Sequence, residues 1–163
     1  MAHIFQNNKV IPIWMLNHRS AKEHVPLVRT YAIRIFYHSN SMDSEFGKLV
    51  DSPLYTKINP YRFDDTKSEE EQEEGCGEDF YPITDDIAKK MLLDFLPFRK
   101  NIEELLIHCD YGVNRTPAVA MAFNDIFNLG NFTDVIVEQF QGYNPLVYDV
   151  LMRNGCVIDG ASA

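Results

Sequence analysis

The sequence is short of cysteine, of long apolar runs and of positive charge. Its three cysteines, Cys76, Cys109 and Cys156, are an odd number at irregular spacing. They do not make a disulfide framework, and they point to a reducing compartment. No basic segment followed by a long apolar core opens the chain. Val10 to Leu16 falls well below the roughly 20 residues of a membrane helix and reads as a strand. Lysine and arginine number 15 against 24 aspartates and glutamates, a net charge of −9. That balance disfavours a nucleic-acid or anionic-membrane partner. There are no internal repeats, and His3, His18, His24 and His38 lack metal-ligand spacing. The expectation is a cytoplasmic protein with one domain over residues 1–163, long enough to bury a core without staples.

Apolar runs at Ile11 to Leu16, Tyr31 to Phe36, Pro60 to Phe63 and Leu105 to Cys109 read as strands. Helical spacing falls between and after them. Arg19 to His24 is a short helix with Ser20 as its cap. Thr84 to Phe95 is clearer: Thr84 caps it, Asp85 and Asp86 fill its first turn, and Ile87, Met91, Leu92 and Phe95 share a face. Pro117 to Leu129 follows, with Thr116 as N-cap, Pro117 at the first helical position and Gly130 as the stop. Thr133 to Phe140 and Pro145 to Arg153 complete the set, the last stopped by Gly155. Strands alternating with helices imply an α/β fold, a central mostly parallel sheet of about four to five strands flanked by helices. Residues 66–79 (TKSEEEQEEGCGED) are acidic and nearly free of apolar side chains. They read as a solvated surface loop, or as a mobile lid beside a site.

The stretch His108-Cys109-Asp110-Tyr111-Gly112-Val113-Asn114-Arg115-Thr116 carries the chemistry. A strand ending in a thiol, a tight loop with a glycine and a helix N-terminus together suit a phosphate-sized dianion. Loop amides, the helix terminus and Arg115 favour the thiolate of Cys109, the form that attacks. The same donors, from Asp110 through Arg115, suit the oxygens of a phosphoryl group, with Arg115 supplying a bidentate fork. Gly112 permits the turn that aims the amides inward. The plainer alternative is a buried cysteine with Arg115 in a surface salt bridge.

This C-x5-R loop, with His108 before it and Thr116 after it, resembles the active-site loop of cysteine-dependent protein tyrosine and dual-specificity phosphatases. The likeness extends loosely from Tyr31 to Gly155 and is strongest from Ile107 to Gly130. It implies a phosphatase-like fold and a phosphomonoester hydrolase working through a phosphocysteine on Cys109, with Arg115 binding phosphate. It further implies that Thr116 assists release of the thiolate and that His108 orders the loop. A general acid is implied upstream: Asp65 in Phe63-Asp64-Asp65-Thr66, with Asp64 second and Asp85 or Asp86 as a further alternative. The interval from Asp65 to Cys109 exceeds the family's, and the acidic insertion accounts for the surplus.

Asp110 is expected to point outward, since a carboxylate facing the thiol would oppose its ionisation. Cys76 is a candidate redox partner of Cys109. The implied substrates are phosphoproteins or other phosphomonoesters, with phosphate or sulfate able to occupy the site and no metal or cofactor required. Two alternatives stay open. Gly112-Val113-Asn114-Arg115-Thr116 also resembles the loop of RNA 5′-triphosphatases, and Asp110 with the long acid spacing leaves room for a catalytically weak phosphate-binding module.

Overall fold

A computed structural model describes residues 9–38, 47–66 and 81–161. Cys76 and most of the acidic segment lie outside the described residues. The elements in chain order are β1 (Ile13–Asn17), α1 (His18–Glu23), β2 (Thr30–Phe36), β3 (Tyr55–Arg62) and α2 (Asp85–Phe95), which runs on into a 3-10 turn (Leu96–Phe98). Then come β4 (Glu104–Cys109), α3 (Arg115–Phe127), α4 (Thr133–Gln139) and α5 (Pro145–Ala161). The four strands form one sheet in the order β1-β4-β2-β3, and every pairing is parallel. The expected α/β architecture is therefore present.

Alternation along β4 and β2 divides two cores. Leu105, Ile107 and Cys109 join Tyr31, Ile33 and Ile35 in the larger cluster, with Met91, Leu92 and Phe95 of α2, Val119 and Phe123 of α3, and Val147 and Leu151 of α5. Leu106 and Ala32 face the other way, onto Ala21 of α1 and Leu49. A parallel strand buried on both faces is a near-continuous apolar run, and all seven residues of β2 are buried, with Thr30 and Arg34 its two polar members.

Several boundaries differ from expectation for identifiable reasons. β3 begins at Tyr55, five residues before Pro60, because it is an edge strand whose Lys57 and Asn59 interrupt the apolar run. Its edge position also tolerates the proline. The cap of α1 is Asn17, whose side chain accepts from the Ser20 backbone N–H; Ser20 itself lies inside the helix. Thr84 does cap α2, accepting from the N–H of Ile87 at 3.2 Å. Helix α3 starts at Arg115, so Thr116 is not its N-cap and Pro117 sits third in its first turn. An N–H there would lack an intrahelical partner in any case, so the proline costs little. The left-handed residue that ends α3 is Asn128, at φ 53°.

Gly155 does not stop α5, which continues to Ala161. A Cβ at Gly155 would come within 2.6 Å of two side-chain carbons of Ile126. The glycine is a packing device that lets α5 approach α3 closely.

Candidate active site

In open parallel sheets, ligands gather beyond the carboxyl ends of the strands. Cys109 is the last residue of β4, paired in register with Asn17 at the end of β1. Tyr37 follows the end of β2, and Phe63 to Asp65 follow β3. All four strand ends thus supply residues to one place.

The loop after β4 is fixed from below and from the side. Gly112 has φ +76°, and a Cβ on it would lie 2.7 Å from Leu16 C and O and from Asn17 N. Only glycine lets the loop press this closely on the end of β1. The amide of Gly112 then donates to Cys109 Sγ at 3.2 Å. Helix α3 begins at once, with neither a capping side chain nor an acidic residue in its first turn. Its positive end is left open beside the thiol, as an anion site requires. The carbonyl of Asp110 accepts from the His18 backbone N–H at 3.3 Å. Its carboxylate Oδ1 lies 3.0 Å from His18 Nδ1, so the Asp110 side chain is engaged by α1. Tyr111 and Val113 are exposed at the rim.

His108 lies on the opposite face of β4 from Cys109, buried against Phe36. Its Nε2 is 2.8 Å from Arg34 Nε. A guanidinium can only donate, so Nε2 is the acceptor and the ring proton sits on Nδ1, 3.5 Å from the Cys109 carbonyl. Burial, reinforced by the Arg34 charge, pushes the imidazole down to about 3. It is a neutral strut between β2 and the loop, buttressing the residue that carries the thiol.

Arg115 is 2% exposed. Its Nη1 donates to the Phe63 carbonyl at 2.8 Å, and the Tyr37 ring lies 4.2 Å from its guanidinium carbon. Two strand ends therefore hold the guanidinium in place. Burial raises the Tyr37 phenol above its ordinary value. Arg115 opposes that shift, and Asp110, Asp65 and Cys109 add to it. Tyr37 thus stays protonated, facing the charged groups of the site. Thr116 is fully buried, and its hydroxyl has no hydrogen-bond partner among the described residues. Leaving a buried hydroxyl without a partner costs about 1–3 kcal/mol.

The two aspartates after β3 are separated in role. Asp64 accepts from the His38 N–H through Oδ1 and from the Tyr81 N–H through Oδ2, both at 2.9 Å. It ties the end of β2 to the chain ahead of α2. Asp65 instead faces the loop: Oδ2 accepts from Asn114 Nδ2 and Oδ1 from Asn144 Nδ2, each at 2.7 Å. Asn144 is itself buried. It also donates to the Thr66 carbonyl at 3.0 Å, accepts from the Val147 N–H at 3.1 Å as the cap of α5, and sends its own N–H to the Asn114 carbonyl. Asp85 lies apart, bound by Arg153 and Asn154.

Tyr37, Asn144, Arg34 and His18 were not singled out as site residues from the sequence. Each meets the loop or the end of β4 through a contact between parts of the chain far apart in sequence. Among the described residues, no cluster of three His, Cys, Asp or Glu side chains is placed to hold a metal, and no helix is long and apolar enough to cross a membrane. The chain matches no family model, no curated protein and no solved structure.

Proposed function

We propose that this chain is a cysteine-dependent phosphomonoester hydrolase of the protein tyrosine and dual-specificity type. The observation that carries the reading is the Asn114–Asp65 hydrogen bond, which joins the thiol-bearing loop to a carboxylate from a different strand end. The thiolate of Cys109 attacks phosphorus, and the bond from phosphorus to the substrate oxygen breaks. Asp65 in its acid form delivers its proton to that oxygen, so the alcohol leaves neutral. Water then attacks the phosphocysteine, Asp65 takes the proton back, and the thiolate departs as phosphate forms. Loop amides, the open end of α3 and Arg115 hold the phosphoryl oxygens through both steps. The Thr116 hydroxyl is the donor that eases departure of the thiolate. No cofactor is needed to balance either step.

The substrates are phosphoproteins or related phosphomonoesters in a reducing, cytoplasmic setting, and phosphate or sulfate would bind in the loop. A second reading, a phosphate-binding module with weak turnover, is favoured by one fact: both Asp65 oxygens are already engaged by carboxamides.

Turnover of p-nitrophenyl phosphate at mildly acidic pH, lost in Cys109→Ser, is the expected result. Rapid quenching followed by mass spectrometry should trap phosphate on Cys109. Undiminished activity in Cys109→Ser rejects the nucleophile. Asp65→Asn should flatten the basic limb of the pH–rate profile, and the same effect from Asp64→Asn instead would reject the acid. Phosphopeptide binding without product over hours would favour the second reading. Release of γ-phosphate from triphosphorylated RNA would redirect the substrate class.

A further inference from the structure

The two edges of the sheet are built differently. On one side, β3 is broken up by Lys57, Pro60 and Arg62, residue types with which proteins guard an exposed edge. On the other, β1 reads Ile-Trp-Met-Leu-Asn, with neither charge nor proline. Among the described residues it pairs with β4 alone. The Pro12 carbonyl accepts from the Leu105 N–H of β4 at 3.0 Å. Ile11 faces the other way: its N–H donates to the Leu129 carbonyl and its carbonyl accepts from Asn131 Nδ2, both at 2.8 Å. Alternation then turns the N–H and C=O groups of Ile13 and Met15 to the open side.

Both faces of this edge are apolar. Trp14 is 43% exposed on one face, against the His24 ring. On the other face runs a groove of about 320 Å³ between Val10, Ile13 and Met15 and the start of α4, where Phe132 is 78% and Val135 56% exposed. No residue lining the groove is charged, in a chain of net charge −9. The nearest charges in sequence, Lys9, Asp134 and Glu138, are of mixed sign. An occupant must therefore bring a strand edge of its own and apolar side chains on both faces. A cationic segment drawn by the net charge would find no carboxylate in the lining.

We propose that β1 is the contact strand of a homodimer, in which the β1 strands of two copies pair antiparallel about a two-fold axis at Met15. An edge that offers both N–H and C=O groups is complementary to itself under such an axis. Met15 then faces Met15 and Ile13 faces Asn17 on the groove side, while Trp14 packs on Leu16 of the second copy on the opposite side. Each groove takes the unbranched Met15 side chain of the other copy, beside Phe132 and Val135. The pairing ends where residues 129–131 already occupy the edge beside Ile11. Covering the edge with Trp14, Phe132 and Val135 on both copies removes on the order of 1,000 Å², the low end for a specific interface, so the dimer is weak. The proposal does not rest on the phosphatase reading.

The test is sedimentation velocity of the full chain from about 2 to about 200 µM, with the emission of Trp14, the single tryptophan, followed in parallel. The expected result is a dimer with a dissociation constant of about 10–100 µM and a blue shift of Trp14 as it forms. Raising salt from about 50 to about 500 mM should tighten it, because copies of like net charge repel and the contact holds no ion pair. Phe132→Asp/Val135→Glu should weaken it by roughly tenfold or more, since it sets like charges in an apolar contact. Both positions are exposed, and an aspartate at the N-cap of α4 with a glutamate three residues on suits the start of that helix, so the fold is kept. Leu93→Lys, exposed on α2, should leave the dimer unchanged. A dimer indifferent to the double variant, or one that salt dissociates, overturns the proposal. A full chain that stays monomeric to about 200 µM also overturns it. Dimerisation after removal of residues 1–8 would then assign the edge to that segment, and continued monomer would assign it to a strand of another protein.

Discussion

Replacing Gly112 by alanine tests whether the loop is pinned on the end of β1. Two costs arise together. At φ +76° an L-residue with a Cβ pays about 1–2 kcal/mol for the left-handed conformation. The new methyl also meets three backbone atoms of Leu16 and Asn17 at 2.7 Å, several tenths of an ångström inside ordinary contact. Those atoms belong to a strand paired with β4, so they cannot swing aside as a side chain would. Together the expected destabilisation is about 3–4 kcal/mol, in the range of strained backbone positions. Gly47→Ala separates the terms: φ there is +64°, but among the described residues the methyl meets the Lys22 side chain alone, at 3.5 Å. It should lose about 1 kcal/mol, the conformational part alone. Urea unfolding of both variants measures the difference at constant m. In the same samples the loop must lift off β1, loosening the Gly112 N–H from Cys109 Sγ. A misplacement approaching 1 Å costs on the order of 10²-fold in turnover, so p-nitrophenyl phosphate hydrolysis should fall by about that factor in Gly112→Ala and hold in Gly47→Ala. Equal stability losses in the two variants, or full activity in Gly112→Ala, would refute the reasoning.

Asn144→Leu removes a cap and two donated hydrogen bonds at a buried position, and should cost about 2–3 kcal/mol. If it orients Asp65, kcat should drop more than KM rises, and the double variant with Asp65→Asn should be no slower than Asp65→Asn alone; additive losses would refute that role. The His108 imidazole, held near 3, is well below its ordinary 6.5. The unfolded chain therefore binds the proton first, and stability falls as pH drops from about 6.5 toward 3, by up to about 1.4 kcal/mol per pH unit. Urea unfolding at pH 7 and pH 5 should differ by about 2 kcal/mol from this group, and His108→Gln should remove that part of the slope. An unchanged slope would mean that His108 is not held neutral.

The strands, the loop and the long helices were legible because each rests on a local signal. Apolar runs mark the strands, Thr84 with its first-turn aspartates marks α2, and Gly112 with the following helix marks the loop. Local rules failed where packing decided. Gly155 reads as a helix stop by composition, but Ile126 on another helix is what requires it. Thr116-Pro117 reads as a cap, yet the helix begins earlier because its whole first turn can do without N–H partners. Asp64 and Asp65 cannot be told apart as neighbours in sequence. Their roles separate only when Tyr81 meets one and Asn114 the other. Asn144 could be found only as a cap before Pro145, since its meeting with Asp65 spans 79 positions.

The strand order has a consequence for how the chain is made. β4 lies between β1 and β2, yet it is synthesised after both. A nascent chain that has not reached Cys109 holds β1 and β2 with no strand between them, and their unpaired edges are open to other chains. Insertion of β4 closes that gap, sets Gly112 on Leu16 and brings Asp110 to His18 across 92 positions. The loop that carries Cys109 is therefore in place only once the strand that completes the sheet is inserted.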